Sequence, residues 1–237
     1  MLARGQWLVL LVATQLAGCG HVPQPIERPG EVSDFTSLYS QNCAACHGAD
    51  GQNGPAIDLV NPRYQALVDE ATLRKWISGG MPGTQMPAFA QSAGGMLTDA
   101  QVNALVAGMR KRWFTPGAFG AAAVLPYAQS QPGDPDRGQR LFEVHCAGCH
   151  KSSREQIDSP LYLALVGDQA LRSMILAGRP DIGQPDFMHD DPAGSAASPL
   201  SAQDVDDIVT YLSVLRKSAA EQTSASAPQA PAGKEQR

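Results

Sequence analysis

Residues 43–47 read Cys-Ala-Ala-Cys-His, and residues 146–150 repeat the pattern as Cys-Ala-Gly-Cys-His. A C-x-x-C-H run is typical of covalent c-type haem attachment, because each thiol can add across a vinyl group while the histidine is held beneath the ring as an iron ligand. Two copies therefore predict two covalently bound haem c groups. The predicted attachment residues are Cys43, Cys46, Cys146 and Cys149. The predicted proximal iron ligands are His47 and His150.

Two other chemistries use the same residue types. A C-x-x-C pair also occurs in structural zinc sites and in dithiol redox centres. A single zinc site would have to join two cysteine pairs that are 103 residues apart in the chain. Neither alternative explains why both pairs are followed directly by histidine, so the pattern favours haem.

The similarity between the two halves extends beyond the motif, which indicates a duplicated domain. Seven residues within 73–89 match seven within 171–187 at an offset of 98, and a block that begins at Leu97 matches one that begins at Leu200 at an offset of 103. Each copy has apolar residues at helical spacing before the cysteines and ends in a capped amphipathic segment. We therefore predict an all-α protein with two small helical domains in tandem.

Composition divides the chain into six parts. The segment between the repeats is rich in proline and glycine, and the last residues contain no core-forming side chains, so we expect a flexible linker and a disordered tail. The predicted division is 1–19 for a cleaved leader, 20–33 for a tether, 34–114 for the first domain, 115–134 for the linker, 135–217 for the second domain and 218–237 for the tail.

The leader has the layout of an export signal. Arg4 precedes the apolar run 7–13, and Leu16-Ala17-Gly18 comes directly before Cys19. Small residues before a cysteine resemble the bacterial lipobox, in which the cysteine is lipidated and becomes the first mature residue. Cys19 is thus the predicted lipidation site, and the protein is expected on the periplasmic side of a bacterial membrane, held by its lipid. An ordinary cleaved signal is the alternative.

Each half resembles a class I c-type cytochrome domain, in which a short helix, the C-x-x-C-H turn, a ligand loop and a C-terminal helix surround one haem. The resemblance implies that Met86 is the sixth ligand of the first iron, with Met81 as the other candidate and packing as an alternative role for either thioether. It also implies that the carbonyl of Pro55 orients the ring of His47.

The second repeat departs from this pattern because Gln184 stands opposite Met86. Met188 and His189 follow closely, and five extra residues in this copy let the loop bend far enough to bring Met188 to the iron. The softness and the oxidation state of the iron favour a thioether, so Met188 is the predicted ligand. The alternatives are His189, which would give a haem with two histidines, and a weakly ligated or open site around Gln184.

Three arginines are candidates for contact with haem propionates, although solvation at the surface is the simpler expectation for each. They are Arg74, Arg172 and Arg179.

The formal net charge of −5 argues against a nucleic acid partner, which would require a basic face. The resemblance implies a carrier or subunit that passes single electrons between respiratory partners outside the cytoplasm, such as a quinol-oxidising complex, an oxidase or a soluble cytochrome. An enzyme or a small-molecule sensor that uses an open sixth position at the second haem is the alternative function.

Overall fold

The computed structural model describes residues 28–120, 124–151, 156–186 and 199–226. All regular elements within these ranges are helical, which confirms the predicted fold class. The helices of the first half are α1 (Phe35–Asn42), α2 (Ala44–His47), α3 (Pro62–Leu67), α4 (Glu70–Gly79) and α5 (Asp99–Trp113). Those of the second half are α6 (Pro135–His145), α7 (Ala147–His150), α8 (Pro160–Leu163), α9 (Asp168–Ala177) and α10 (Ala202–Ser226). No helix in the described ranges combines the length and the apolar character needed to cross a bilayer.

Helix α5 and helix α10 begin with equivalent caps. The hydroxyl of Thr98 accepts a hydrogen bond from the backbone N–H of Gln101, whose side chain accepts one from the N–H of Thr98. Ser201 and Asp204 make the same reciprocal pair at the second position. Each cap satisfies two of the N–H groups that a helix start leaves unpaired, so local sequence alone determines where both terminal helices begin.

Helix α10 is longer than the sequence suggested. It continues to Ser226, so residues 218–226 are helical, whereas the sequence analysis assigned them to a disordered tail. The stretch after Lys217 contains Ala, Glu and Gln, which are good helix formers and extend a helix that tertiary packing has already begun.

A glycine lies where the terminal helices cross in each domain. In the first domain Gly108 of α5 faces Phe35 of α1, and a Cβ on that glycine would lie 2.1 Å from the phenyl ring. In the second domain Gly138 of α6 faces α10, and its Cβ would lie 2.9 Å from Cβ of Tyr211. At the repeat offset of 103, Phe35 corresponds to Gly138 and Gly108 to Tyr211. In the first domain the aromatic residue is therefore on the N-terminal helix and the glycine on the C-terminal helix, and in the second domain the two are reversed.

The described part of the linker packs against the second domain. The backbone carbonyl of Pro126 accepts hydrogen bonds from Nε and Nη2 of Arg172, at 3.1 and 2.9 Å, and the carbonyl of Tyr127 accepts from the side chain of Gln169 at 2.8 Å. Arg172 is only 1% exposed. The prediction that Arg172 lies at the surface is therefore wrong. Backbone carbonyls and the buried carboxylate of Asp206 accept its hydrogen bonds in place of water.

The two domains share a packed interface between α3 and α9. The side chain of Asn61 caps α3 by accepting from the N–H groups of Arg63 and Tyr64. Its amide nitrogen donates to the carbonyls of Ala177 and Gly178 at the end of α9, at 2.9 and 3.2 Å. One buried side chain thus starts a helix of one domain and terminates a helix of the other.

Candidate functional site

The first C-x-x-C-H run forms a single tight turn after α1. Cys43 is the N-cap of α2, and its carbonyl accepts hydrogen bonds from the N–H groups of Cys46 and His47 at 3.2 and 3.0 Å. Cys43 packs against the first domain's core, whereas Cys46 is exposed. Burial raises the pKa of the Cys43 thiol to about 12. The turn therefore places the Cys43 thiol against the core and the Cys46 thiol at the surface of the domain. This arrangement suits two thiols that attach to one planar cofactor.

The ring of His47 is oriented by a loop carbonyl. Its Nδ1 lies 2.9 Å from the carbonyl oxygen of Ile57, so Nδ1 carries the proton and Nε2 is the atom left for a metal. The resemblance had implied the carbonyl of Pro55 for this role, which is wrong. The N–H of Ala56 bonds to the carbonyl of Cys46 at 2.9 Å, and this contact brings the carbonyl two residues beyond Pro55 to the ring.

Met86 borders the same core cluster as Cys43 and Ile57, and Met81 does not belong to that cluster within the described residues. The loop that carries Met86 is closed by a hydrogen bond from the N–H of Met81 to the carbonyl of Met86, at 3.1 Å, and by the hydroxyl of Thr84. Of the two candidate thioethers, the structure therefore brings Met86 to the core that the cysteine and the proximal loop also line.

The second run repeats the turn. Cys146 is the N-cap of α7, is 8% exposed, and burial raises the pKa of its thiol to about 12. Cys149 is exposed. One cavity is lined by Cys146, His150 and Gln184 together, with apolar side chains around them. The structure thus joins three of the predicted site residues, while Met188 and His189 lie outside the described residues.

The ligand loop of the second domain confirms the alignment of Gln184 with Met86. The N–H of Arg179 donates to the carbonyl of Gln184 at 2.9 Å, which repeats the closing bond of the first loop. The side-chain amide of Gln184 donates to the carbonyl of Met174 at 3.1 Å. Gln184 therefore faces the second cavity with its amide nitrogen engaged by the protein.

Met174 also lines the second cavity, and it is not among the site residues predicted from the sequence. Its spacing from Leu171 and Ile175 on one face of α9 was the signal that could have identified it. In the first domain the same position is held by Trp76.

The donor set of the first domain fits a haem, because two thiols, an imidazole with Nε2 available and a thioether are ligands that haem c uses. In the second domain the two thiols and His150 are present, and Gln184 stands at the position of the thioether.

Comparisons with known proteins support the same chemistry. Residues 30–107 match the family described as cytochrome c oxidase, cbb3-type, subunit III, and residues 135–216 match the family described as cytochrome c. The chain is 41% identical over 88 residues to a dihydro-heme d1 dehydrogenase of Pseudomonas aeruginosa, an alignment that covers 37% of this chain and 16% of that protein. It is 28% identical over 159 residues to the cbb3-type cytochrome c oxidase subunit FixP of Sinorhizobium medicae, covering 59% of this chain and 48% of that protein. The chain thus spans less than half the length of either relative.

Proposed function

Because the chain consists of two cytochrome c domains in tandem and carries two covalently bound haem c groups, we propose that it passes single electrons between respiratory redox partners outside the cytoplasm. The observation that carries this proposal is the first site, where His47 is held by the carbonyl of Ile57 and Met86 borders the same core. A His and Met pair suits a carrier, because both ligands stay bound while the iron changes oxidation state.

In this proposal the cysteines attach the two haems covalently, and other side chains bind the iron. Cys43 and Cys46 would form the thioether links of the first haem, with His47 and Met86 as its axial ligands. Cys146 and Cys149 would form the links of the second haem, with His150 as the proximal ligand.

The haem supplies the one-electron ferric–ferrous couple. The protein orients the imidazole through the Ile57 carbonyl, and Cys43 packs against the first domain's core. As a ligand, the thioether of Met86 would favour the ferrous state of the iron and so raise the potential. Cys46 is exposed, so the edge that it holds lies where a partner can approach. No bond to a substrate is needed for this role.

The partners are proposed from the relatives and from charge. FixP is named as a subunit of a cbb3-type oxidase, and this likeness supports a terminal oxidase of that kind, or the complex that supplies it, as a partner. The net charge of −5 favours a partner with a basic docking patch. Lipidation at Cys19 would hold the protein at the periplasmic face of the membrane. Purification in detergent with the lipid retained, followed by identification of bound oxidase subunits, tests the partner.

A potentiometric titration with optical and magnetic spectra tests the carrier function. We expect two haems per chain, two one-electron waves, and a near-infrared Met-to-ferric charge-transfer band for the first haem. A first haem that is high-spin in both oxidation states would contradict the proposal, because an electron carrier keeps both axial ligands.

A second candidate function concerns the second haem. Gln184 stands where Met86 stands in the first domain, and its amide nitrogen is bonded to the carbonyl of Met174. This arrangement favours a weakly ligated iron that accepts a small molecule. Met188 and His189 remain the alternative ligands. Carbon monoxide added to the reduced protein distinguishes the cases: binding at one haem supports a ligand-accepting site, and binding at neither supports a plain carrier.

A further inference from the structure

The first domain holds the described part of the second domain's ligand loop, residues 178–186, at two points. Asn61 donates to the carbonyls of Ala177 and Gly178 where the loop begins. Arg63 pairs with the buried carboxylate of Asp186, the last described residue of the loop, at 2.6 Å. The residues between these two contacts therefore have a fixed position relative to the first haem site.

Arg179 is a buried residue of this loop that contacts the first domain. It is 5% exposed, and its Nε and Nη2 donate to the two carboxylate oxygens of Asp181 at 2.8 and 2.6 Å. Nη2 also lies 3.3 Å from the carbonyl oxygen of Gly54 in the proximal loop of the first domain. A buried guanidinium from one domain thus contacts the loop that follows the haem attachment turn of the other.

Gly54 connects this contact to the proximal histidine. A Cβ at Gly54 would lie 2.3 Å from the carbonyl oxygen of Cys46 and 2.7 Å from the carbonyl carbon of His47. The backbone that receives the hydrogen bond from Arg179 is therefore packed directly on the backbone of the iron ligand.

Asp181 makes a second contact with the same loop. Its side chain is 1% exposed and accepts a hydrogen bond from the N–H of Asn53 at 3.2 Å. Asn53 has φ of +61°, and it is the one non-glycine residue with positive φ in the described chain. Such a backbone conformation persists when neighbouring contacts determine it, and the carboxylate of Asp181 is one of them.

The charge of Arg179 lies close to the backbone of His47. The guanidinium contacts the carbonyl of Gly54, and Gly54 packs against the carbonyl carbon of His47. The guanidinium is shielded from water, so its field at the ligand is screened much less than that of a surface arginine.

From these contacts we propose that Arg179 and Asp181 of the second domain are positioning residues for the first haem and set its reduction potential. A buried positive charge against the loop that follows the proximal ligand disfavours the ferric state of the iron, and the carboxylate of Asp181 partly offsets that charge. The inference goes beyond the electron-transfer role above and requires only that haem is attached in the first domain.

This pair is not part of what the two domains have in common. At the repeat offset of 98, Arg179 corresponds to Met81 and Asp181 to Gly83. The first domain's own ligand loop therefore has no charged side chains at these two positions.

Opposite changes in potential provide the test. In holoprotein with Arg179→Met, loss of the cation should lower the potential of the first haem by the equivalent of about a tenfold change in its reduction constant, which is 59 mV for one electron. With Asp181→Asn the cation loses its counter-charge, and the potential of the first haem should rise. The potential of the second haem should change less in both variants. Met86→His identifies which wave belongs to the first haem.

Arg137→Met is the matched control, because Arg137 pairs with Asp204 and Asp207 within the second domain. It should leave the potential of the first haem unchanged. Equal shifts of the same sign in Arg179→Met and Asp181→Asn would overturn the proposal, since simple loosening of the interface predicts that result. An unchanged first haem in both would overturn it as well. If Arg179→Met does not fold, Asp181→Asn and Arg179→Lys still test the proposal. Lysine keeps the positive charge, so the first haem of Arg179→Lys should retain most of its wild-type potential.

Discussion

Replacing Arg172 with methionine should remove much of the second domain's stability. Arg172 and its partner Asp206 are each 1% exposed, and Oδ2 of Asp206 has no hydrogen-bond partner in the described structure. Methionine fills a similar volume, but it leaves the carboxylate buried without a counter-charge and removes the donors to the carbonyl of Pro126. Breaking a buried ion pair by deleting one partner costs about 3–5 kcal/mol.

Urea unfolding of the holoprotein, followed by far-ultraviolet circular dichroism, measures this loss. With a slope of about 2 kcal/mol per molar urea, a loss of about 4 kcal/mol lowers the second domain's midpoint by about 2 M. The double variant Arg172→Met/Asp206→Leu should recover most of it, because no buried charge is left unpaired.

Lys151→Met supplies the comparison. It breaks an ion pair with Glu143 in which both side chains are 45% exposed, and exposed pairs contribute about 1 kcal/mol or less. If Arg172→Met lowers the midpoint no more than Lys151→Met does, the argument from burial is refuted.

Three further predictions concern the first haem site and the domain interface. Met86→Ala should abolish the first haem's share of the near-infrared Met-to-ferric band and lower its potential, and an unchanged band would exclude Met86 as the ligand. The Arg179 guanidinium holds the pKa of Asp181 below its ordinary value of 3.8. The stability that this carboxylate contributes is therefore present above about pH 4 and is lost as the pH falls through the lower folded pKa; in Asp181→Asn the thermal midpoint should fall less steeply over that acid range. Gly54→Ala places a Cβ 2.3 Å from a backbone oxygen and should destabilise the first domain by about 1–3 kcal/mol and reduce haem content, whereas Gly79→Ala, which meets nothing within 4 Å, should not.

Local patterns made the attachment turns and the terminal helices predictable. The C-x-x-C-H spacing and the caps at Thr98 and Ser201 act over a few residues, so the sequence displays them directly. The same holds for Gln184, whose place in the loop follows from the repeat offset alone.

Features that depend on contacts between distant segments were not predictable. The carbonyl that orients His47 belongs to Ile57 because of a backbone hydrogen bond between Ala56 and Cys46, and every residue has such a carbonyl, so side-chain identity gives no signal. Arg172 and Arg179 were expected at the surface because arginine usually lies there. Their burial depends on carbonyls of the linker and of the other domain, which only the tertiary structure reveals.

The exchange of glycine and aromatic partners at the helix crossings bears on how a duplicated chain avoids mispairing its own halves. If α1 packed on α10, Phe35 would press against Tyr211 at the crossing point. If α6 packed on α5, Gly138 would face Gly108 and leave a gap. Both mismatches cost packing energy, one through overlap and the other through a cavity. Two domains of similar sequence in one polypeptide would otherwise be prone to trading terminal helices during folding. The reciprocal arrangement gives each N-terminal helix a steric preference for the C-terminal helix of its own domain.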